Sequence, residues 1–236
     1  MKPNERLIVA LDVGTKKRAI AIVKTLKSYV NIFKVGSELF TSCGPEIVRE
    51  VKKNGCEVFL DLKFHDIPHT AARAAAAASR LGVFMLNVHA LGGIDMMKKA
   101  AEAARDEAEK AKQNQPKIIA VTILTSMDKN SLEKIGINDN METQVLRLAG
   151  IAKDAGLDGV VASPSEVKVI RRDFGGDFLI VTPGVRPSDA ATDDQKRIAT
   201  PKETVDNGAD FIVVGRPIIE APDPLVAVKK ILEEIK

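Results

Sequence analysis

The segment Cys56-Glu57-Val58-Phe59-Leu60-Asp61-Leu62-Lys63-Phe64-His65-Asp66-Ile67-Pro68 begins as an apolar run and continues into charged residues. The run is typical of a buried β-strand, and Pro68 suits the first turn of a helix. Because side chains alternate along a strand, Asp61 and Lys63 are predicted to point the same way, with Cα atoms roughly 7 Å apart. Asp66 lies just past the strand. The segment therefore predicts an acid–base–acid cluster where a strand passes into a helix. Core packing does not require three charges there, so the cluster indicates a functional site.

Short apolar runs followed by helical segments recur along the whole chain. Strands are predicted at Leu7–Asp12, Asn31–Gly36, Cys56–Lys63, Phe84–His89, Lys117–Leu124, Gly159–Ala162, Phe178–Thr182 and Phe211–Gly215. Helices are predicted at Lys16–Ser28, Pro45–Asn54, Pro68–Leu81, Ile94–Gln113, Thr143–Ala155, Ser165–Asp173, Thr200–Asn207 and Asp223–Ile235. Eight β-then-α units predict an α/β fold, a (β/α)8 TIM barrel in one domain over residues 1–236.

An open, doubly wound sheet is the competing fold for this alternation. Such a sheet normally has a glycine-rich phosphate loop of the form GxGxxG after its first strand. The corresponding turn here is Asp12-Val13-Gly14-Thr15, which does not fit that form. The barrel is therefore favoured.

Composition excludes several classes of function. Hydrophobic content of 45% and charged content of 28% are ordinary for a soluble globular protein. A net charge of +3, no Trp and one Tyr argue against nucleic-acid binding. The apolar runs are far shorter than a membrane span, and no apolar signal segment precedes the first strand. We therefore expect a cytoplasmic protein that binds neither membrane nor nucleic acid.

Charged side chains lie at the carboxyl ends of the predicted strands, where TIM barrels carry their active sites. Strand 1 ends in Asp12, strand 2 carries Lys34, and strand 3 delivers Asp61 and Lys63 before Asp66. Buried charges are costly even when paired, which disfavours a purely structural ion-pair network of this size. Alternating charges instead keep each lysine protonated between carboxylates. The pattern predicts a cationic acid beside fixed negative charge.

The loops after strands 7 and 8 have the features of a phosphate site, which is where TIM barrels commonly bind phosphate. Gly184 and Gly215 permit close backbone approach to an anion. Arg216 supplies a bidentate fork for phosphate oxygens. The long polar stretch Arg186–Thr200 is typical of a functional loop, and we expect it to close as a lid over the phosphate.

Taken together, these segments resemble the orotidine 5′-phosphate decarboxylase family from the first strand to the last. The resemblance is carried by Ala10-Leu11-Asp12, Phe33-Lys34-Val35-Gly36, Asp61-Leu62-Lys63-Phe64-His65-Asp66-Ile67-Pro68, Leu124-Thr125-Ser126-Met127, Thr182-Pro183-Gly184-Val185-Arg186, Asp194-Gln195-Lys196-Arg197 and Val214-Gly215-Arg216-Pro217. The Asp-x-Lys-x-x-Asp pattern alone identifies only the wider superfamily. Lys34 and the two segments that begin at Thr182 and Asp194 make the resemblance specific.

The resemblance implies an enzyme that converts orotidine 5′-monophosphate to UMP and CO2 in de novo pyrimidine biosynthesis, with no metal ion or other cofactor. It implies a homodimer with sites at the subunit interface. The catalytic array would comprise Lys34, Asp61, Lys63 and Asp66, with Asp66 supplied by the partner subunit and Lys63 as the proton donor.

The resemblance also implies which residues bind the substrate. Asp12 and Lys34 would contact the ribose hydroxyls, and Ser126 would contact the pyrimidine base. The partner subunit would contribute Thr70 and Ile67. Gln195, Gly215 and Arg216 would hold the 5′-phosphate, and the loop around Gln195 would close over it. Pro183 and Gly184 would line the pocket, and Arg186 would also be a substrate-binding residue.

Two other functions stay open at this point. Sister sugar-phosphate enzymes, such as 3-keto-gulonate-6-phosphate decarboxylase and hexulose-phosphate synthase, share the Asp-x-Lys-x-x-Asp core but hold Mg²⁺ with a glutamate on strand 2. Lys34 occupies that strand here, and its charge repels a metal ion. The other alternative is a phosphate-ligand binding protein on a barrel scaffold, although binding alone needs no array of alternating charges.

Overall fold

The computed structural model describes residues 1–187 and 199–236, and within them eight parallel strands close into a barrel in chain order. The predicted (β/α)8 fold is thereby confirmed, since β8 pairs with β1 to complete the ring. The strands are β1 (Leu7–Ala10), β2 (Ile32–Gly36), β3 (Glu57–Phe64), β4 (Met85–His89), β5 (Lys117–Val121), β6 (Gly159–Val161), β7 (Leu179–Thr182) and β8 (Phe211–Val214).

Helices connect successive strands, as parallel pairing requires. They are α1 (Pro3–Arg6), α2 (Lys16–Leu26), α3 (Ser37–Cys43), α4 (Glu46–Lys53), α5 (Pro68–Ser79), α6 (Ile94–Lys110), α7 (Lys129–Lys134), α8 (Met141–Asp154), α9 (Val167–Phe174), α10 (Pro201–Asp206), α11 (Arg216–Ile219) and α12 (Pro224–Glu234). All eight predicted helices are present, and α1, α3, α7 and α11 were not predicted. In the part of the chain that the structure describes, none of the helices has the length and apolar character of a bilayer span.

Four strands end earlier than predicted, β6 and β8 by one residue and β1 and β5 by more. β1 stops at Ala10 and β5 stops at Val121, so Asp12 and Leu124 lie on loops rather than on strands. The physical reason is visible at β5: its neighbour β6 ends at Val161, which pairs with Val121, so residues further along have no strand to pair with.

Inward-facing residues of the strands form an apolar plug that closes the lower part of the barrel. Its members are Ile8, Ala10, Ile32, Phe59, Met85, Ile119, Val181, Phe211 and Val213. Two residues further along β2, β3 and β4, the inward positions carry Lys34, Asp61 and Asn87 instead, and all three are buried. Because alternate residues share a face, these polar groups lie directly above the plug, at the mouth of the barrel.

The chain passes from β3 into α5 through a short connection. β3 ends at Phe64, and Pro68 occupies the first turn of α5 as predicted. Proline is favoured there because its missing N–H would have no partner within the helix. The connection fixes His65, Asp66 and Ile67 at the rim of the barrel mouth.

Candidate active site

Side chains of alternating charge form one row across the mouth of the barrel. Lys34 Nζ lies 2.9 Å from Asp12 Oδ1 and 3.2 Å from Asp61 Oδ2. Lys63 Nζ in turn lies 2.7 Å from Asp61 Oδ1. The structure therefore brings together four of the side chains that the sequence singled out, in the order Asp12, Lys34, Asp61, Lys63.

The centre of this row is buried and its ends are open. The side chains of Lys34 and Asp61 are 11% and 12% exposed, whereas those of Asp12 and Lys63 are 50% and 37% exposed. Burial by itself would lower the pKa of Lys34, but the charges of Asp61 and Asp12 and their hydrogen bonds outweigh it and raise that pKa. Burial would likewise raise the pKa of Asp61, but Lys34 and Lys63 outweigh it and lower that pKa. Both central groups are thus held in their charged forms.

The strand that carries Asp61 and Lys63 is not regular at this point. Lys63 has a φ of 52°, in the left-handed region, and the pairing of β3 with β4 shifts register between Leu60 and Phe64. The two charged side chains do meet on one side, as predicted, but through a bulge rather than simple alternation. A non-glycine residue in this conformation costs about 1–2 kcal/mol, so surrounding contacts must maintain it.

Asn87 supplies such contacts, and sequence reasoning did not assign it to the site. The Lys63 backbone N–H donates to Asn87 Oδ1 at 2.8 Å, and Asn87 Nδ2 donates to Asp61 Oδ1 at 2.7 Å. A signal was present in the sequence, because an amide at an inward position of a buried apolar strand needs polar partners there.

His89 lies one inward position beyond Asn87, and its ring stacks on that of His65 at a centroid distance of 5.3 Å. Burial, with the nearby His65 and Lys63, lowers the pKa of His89 to about 4. The imidazole is therefore neutral at neutral pH and adds no positive charge beside Lys63.

A cavity of about 270 Å³ opens beside the charged row. Its apolar wall includes Phe59, Val121, Val161, Val181 and Val213, and its charged wall includes Asp12, Lys34, Asp61 and Lys63. The combination of an apolar face with a few convergent charged groups is characteristic of small-molecule sites.

The far side of the cavity carries the predicted phosphate-binding residues. Pro183, Gly184, Arg186, Gly215 and Arg216 all line it. Gly184 has a φ of 77°, which glycine adopts without strain. A parallel bridge pairs Val185, which also lines the cavity, with Ala199. Gln195 belongs to residues 188–198, outside the described part of the chain.

Four predicted site residues do not line the cavity. Asp66 and Ile67, just before α5, and Thr70, in its first turn, are exposed, and their contribution to a partner subunit's site stays a prediction. Ser126 is also exposed, and the cavity is instead lined by its neighbours Leu124 and Thr125. Within residues 1–187 and 199–236, no three His, Cys, Asp or Glu side chains converge to form a metal-binding group.

Comparisons of sequence agree in identifying the relatives of this chain. A family model described as "Orotidine 5'-phosphate decarboxylase / HUMPS family" matches residues 5–231. The orotidine 5′-phosphate decarboxylase of Trichlorobacter lovleyi is 54% identical over 232 residues, covering 98% of this chain and 95% of that protein. The protein of the same name from Moorella thermoacetica is 51% identical over 237 residues, covering 100% of this chain and 94% of its own.

Solved structures are similar over the same extent. The crystal structure of orotidine 5′-phosphate decarboxylase from Lactobacillus acidophilus matches with a TM-score of 0.87 and 40% identity, covering 98% of this chain and 99% of that one. The corresponding structure from Pyrococcus horikoshii matches with a TM-score of 0.77 and 30% identity, covering 97% and 98%.

We predict that Lys34→Met lowers the free energy of unfolding by about 3–5 kcal/mol at pH 7, because it leaves the buried Asp61 with fewer positive neighbours. The raised pKa of Lys34 means that its contribution is full below the unfolded-state value of ~10.4 and is lost as the pH rises further. The lowered pKa of Asp61 means that its contribution is present above ~3.9 and is lost as the pH falls.

Urea unfolding followed by circular dichroism between pH 4 and 11 measures the loss of stability at both high and low pH. The difference between wild type and Lys34→Met should be largest near neutrality and should shrink above pH ~10.4. Lys98→Met, at an exposed position on α6, is the matched control and should track wild type. Equal stability of Lys34→Met and Lys98→Met at pH 7 would contradict the prediction.

Proposed function

The chain belongs to the orotidine 5′-phosphate decarboxylase / HUMPS family, its reaction is the decarboxylation of orotidine 5′-monophosphate to UMP, and we propose that Lys63 donates the proton that replaces CO2. The observation that carries this proposal is the row of alternating charges that ends with the Lys63 ammonium at the cavity wall. That group is close to Asp61 and partly open to the cavity, as a proton donor to a bound ligand must be.

The reaction depends mainly on electrostatic stabilisation of the negative charge that develops at C6. Loss of CO2 from C6 of the pyrimidine leaves an electron pair in the plane of the ring, where the π-system cannot delocalise it. A fixed ammonium beside that carbon stabilises the developing charge and then transfers its proton to it. Lys63 performs both tasks in this proposal.

The carboxylates orient the Lys63 side chain. Burial acts to raise the pKa of Asp61, but Lys34 and Lys63 outweigh it, lower that pKa and hold the carboxylate ionised. Asp61 accepts a hydrogen bond from Lys63 Nζ at 2.7 Å. The partner subunit's Asp66 would approach Lys63 from the other side. Two carboxylates flanking one ammonium would fix its position.

Lys34 supports a mechanism without a metal ion. The sister sugar-phosphate enzymes hold Mg²⁺ with a glutamate on strand 2, as the family resemblance implies. Here Lys34 stands on β2 between Asp12 and Asp61, and its raised pKa keeps it cationic. An ammonium between the two acids repels a divalent cation and already occupies the carboxylate oxygens that would bind it.

The glycine and arginine side of the cavity is proposed to bind the 5′-phosphate through Gly215, Arg216 and Gln195, with Pro183, Gly184 and Arg186 completing the wall. Asp12 and Lys34 would contact the ribose, and Ser126 the base once the site closes. The barrier to be removed lies toward the top of the ~8–23 kcal/mol range of enzymes. Binding energy at the remote phosphate would hold the substrate in its reactive geometry.

A homodimer with shared sites is part of the proposal. Asp66 and Thr70 are exposed next to Ile67, a large apolar side chain that is 67% exposed. Leu91 and Ile94 are also unusually open for apolar residues, at 41% and 43%. Exposed apolar side chains beside an active site are characteristic of interaction surfaces. A cytoplasmic location remains a prediction of the proposal, consistent with a reaction of pyrimidine biosynthesis.

We predict that Lys63→Ala lowers kcat by roughly 10⁴-fold or more, because it removes both the charge and the proton source, while UMP still binds. The measurement is the loss of orotidine 5′-monophosphate absorbance in EDTA, with calorimetry for UMP binding. Lys98→Ala is the matched control and should behave as wild type. Near wild-type turnover by Lys63→Ala would remove Lys63 from its role, and EDTA-sensitive turnover of a sugar phosphate would favour the sister chemistry.

We predict that Arg216→Ala lowers kcat/KM for orotidine 5′-monophosphate by about 10- to 100-fold, since a hydrogen bond to a charged group contributes ~1.5–3 kcal/mol. The decisive comparison is orotidine, which lacks the phosphate. Wild type and Arg216→Ala should have the same kcat/KM for orotidine, because the lost partner is absent. An equal loss with both substrates would show that Arg216 acts elsewhere.

We predict that two inactive variants, Lys63→Ala and Asp66→Ala, regain activity when their subunits are mixed by co-refolding. About a quarter of wild-type activity is expected, because half of the dimers are hybrid and each hybrid has one intact site of two. Lys63→Ala mixed with Asp61→Ala is the control and should regain nothing, since both residues belong to the same subunit's half of a site. Failure of the first mixture would place Asp66 in its own subunit's site.

A further inference from the structure

The pairing of β3 with β4 leaves three residues of one strand opposite a single residue of the other. Leu60 pairs regularly, Phe64 pairs regularly, and between them Asp61–Lys63 face only Asn87. On its other edge β3 pairs with β2 in register as far as Asp61. The irregularity is thus confined to the edge where Asn87 lies.

The Asn87 side chain fills the gap that this irregularity creates. The residue is 1% exposed. Its Oδ1 accepts the hydrogen bond of the Lys63 backbone N–H at 2.8 Å, and its Nδ2 donates to Asp61 Oδ1 at 2.7 Å. The orientation of the amide follows from its neighbours, because a backbone N–H only donates and an ionised carboxylate only accepts.

We infer that Asn87 is a positioning residue, which holds Lys63 in its reactive geometry by tying the Lys63 backbone to the Asp61 carboxylate. This inference rests on the proposed role of Lys63. The side-chain amide of Asn87 has both the acceptor for the Lys63 N–H and the donor for Asp61. An ionised aspartate lacks the donor, and an alanine lacks both groups. Removal of the amide would break the hydrogen bond from the Lys63 N–H to Asn87 Oδ1. The left-handed conformation of Lys63 would lose that support, and the position of its ammonium would be less well fixed.

The inference requires an effect on turnover rather than on substrate binding. The proposed phosphate-binding residues Gly184, Gly215 and Arg216 follow the ends of β7 and β8, and none of them shares a described hydrogen bond with Asn87. Asn87→Ala should therefore lower kcat at least 100-fold while KM and the dissociation constant of UMP change by less than about threefold.

Asn87→Asp provides a readout that a merely structural residue would not give. A protonated aspartate accepts from the Lys63 N–H and donates to Asp61, as the amide does, whereas the ionised form cannot donate and repels Asp61. The kcat of Asn87→Asp should therefore exceed that of Asn87→Ala at pH 5 and should decline as the pH rises, over a range where Asn87→Ala shows no such decline.

The experiment compares kcat, KM and UMP affinity of wild type, Asn87→Ala and Asn87→Asp from pH 5 to 9. Ser79→Ala is the control for loss of a buried hydrogen bond, since Ser79 is 2% exposed and donates to Ala104 O at 2.7 Å away from the site. It should lower thermal stability and leave kcat unchanged. If Asn87→Ala fails to bind UMP because it does not fold, the nearly isosteric Asn87→Asp carries the test.

Two results would overturn the inference. One is a kcat of Asn87→Ala within threefold of wild type, and the other is an Asn87→Asp variant as impaired as Asn87→Ala at every pH. Lys63→Ala separates this failure from failure of the proposed function. If Lys63→Ala is inactive and Asn87→Ala is fully active, only the inference about Asn87 falls; if Lys63→Ala itself turns over normally, the role of Lys63 falls first.

Discussion

The buried carboxylate of Asp61 is the group on which the rest of the site depends. Its Oδ1 accepts from Lys63 Nζ and Asn87 Nδ2, and its Oδ2 lies 3.2 Å from Lys34 Nζ. A carboxylate removed from water is costly unless charges and hydrogen bonds replace the water. The three partners provide that replacement, so β2, β3 and β4 are all joined at one anion. Protonation of Asp61 would weaken all three contacts together.

The barrel makes this concentration of charge possible by separating an apolar plug from a polar mouth. Lys34 and Asp61 stand directly above plug residues on the same strands, so water reaches them only from the mouth. Glycines leave room for the row: a Cβ on Gly36 would lie 3.0 Å from Lys34 Nζ, and one on Gly215 would lie 3.3 Å from Asp12 Oδ2. The phosphate side and the charged row therefore meet at Asp12.

Sequence alone predicted the barrel and most of the charged row, because eight strands buried on both faces leave a strong apolar signal. It missed α1, α3, α7 and α11, because helices of four to seven residues carry little periodicity. The six-residue α10 was predicted because Gly208 marks its end in the sequence. Strand alternation placed Asp61 beside Lys63 correctly, but it does not specify register with a neighbouring strand. The bulge is a feature of the β3–β4 pairing, so neither it nor the hydrogen bonds of Asn87 to Asp61 and Lys63 could be predicted from the β3 sequence.

Residue 34 explains how one scaffold supports two kinds of chemistry. With lysine there, Asp12, Lys34, Asp61 and Lys63 have no net formal charge, and the row ends on β3 in the Lys63 ammonium. In the proposed function, an anionic substrate carboxylate would bind beside that ammonium. A glutamate at residue 34 would place three carboxylates together and leave the row with a net negative charge. That arrangement attracts a divalent cation and repels an anionic substrate unless the cation is bound. Under the proposed function, the inward-facing side chain at residue 34 of β2 therefore decides whether the row takes an anionic substrate directly or needs a divalent cation.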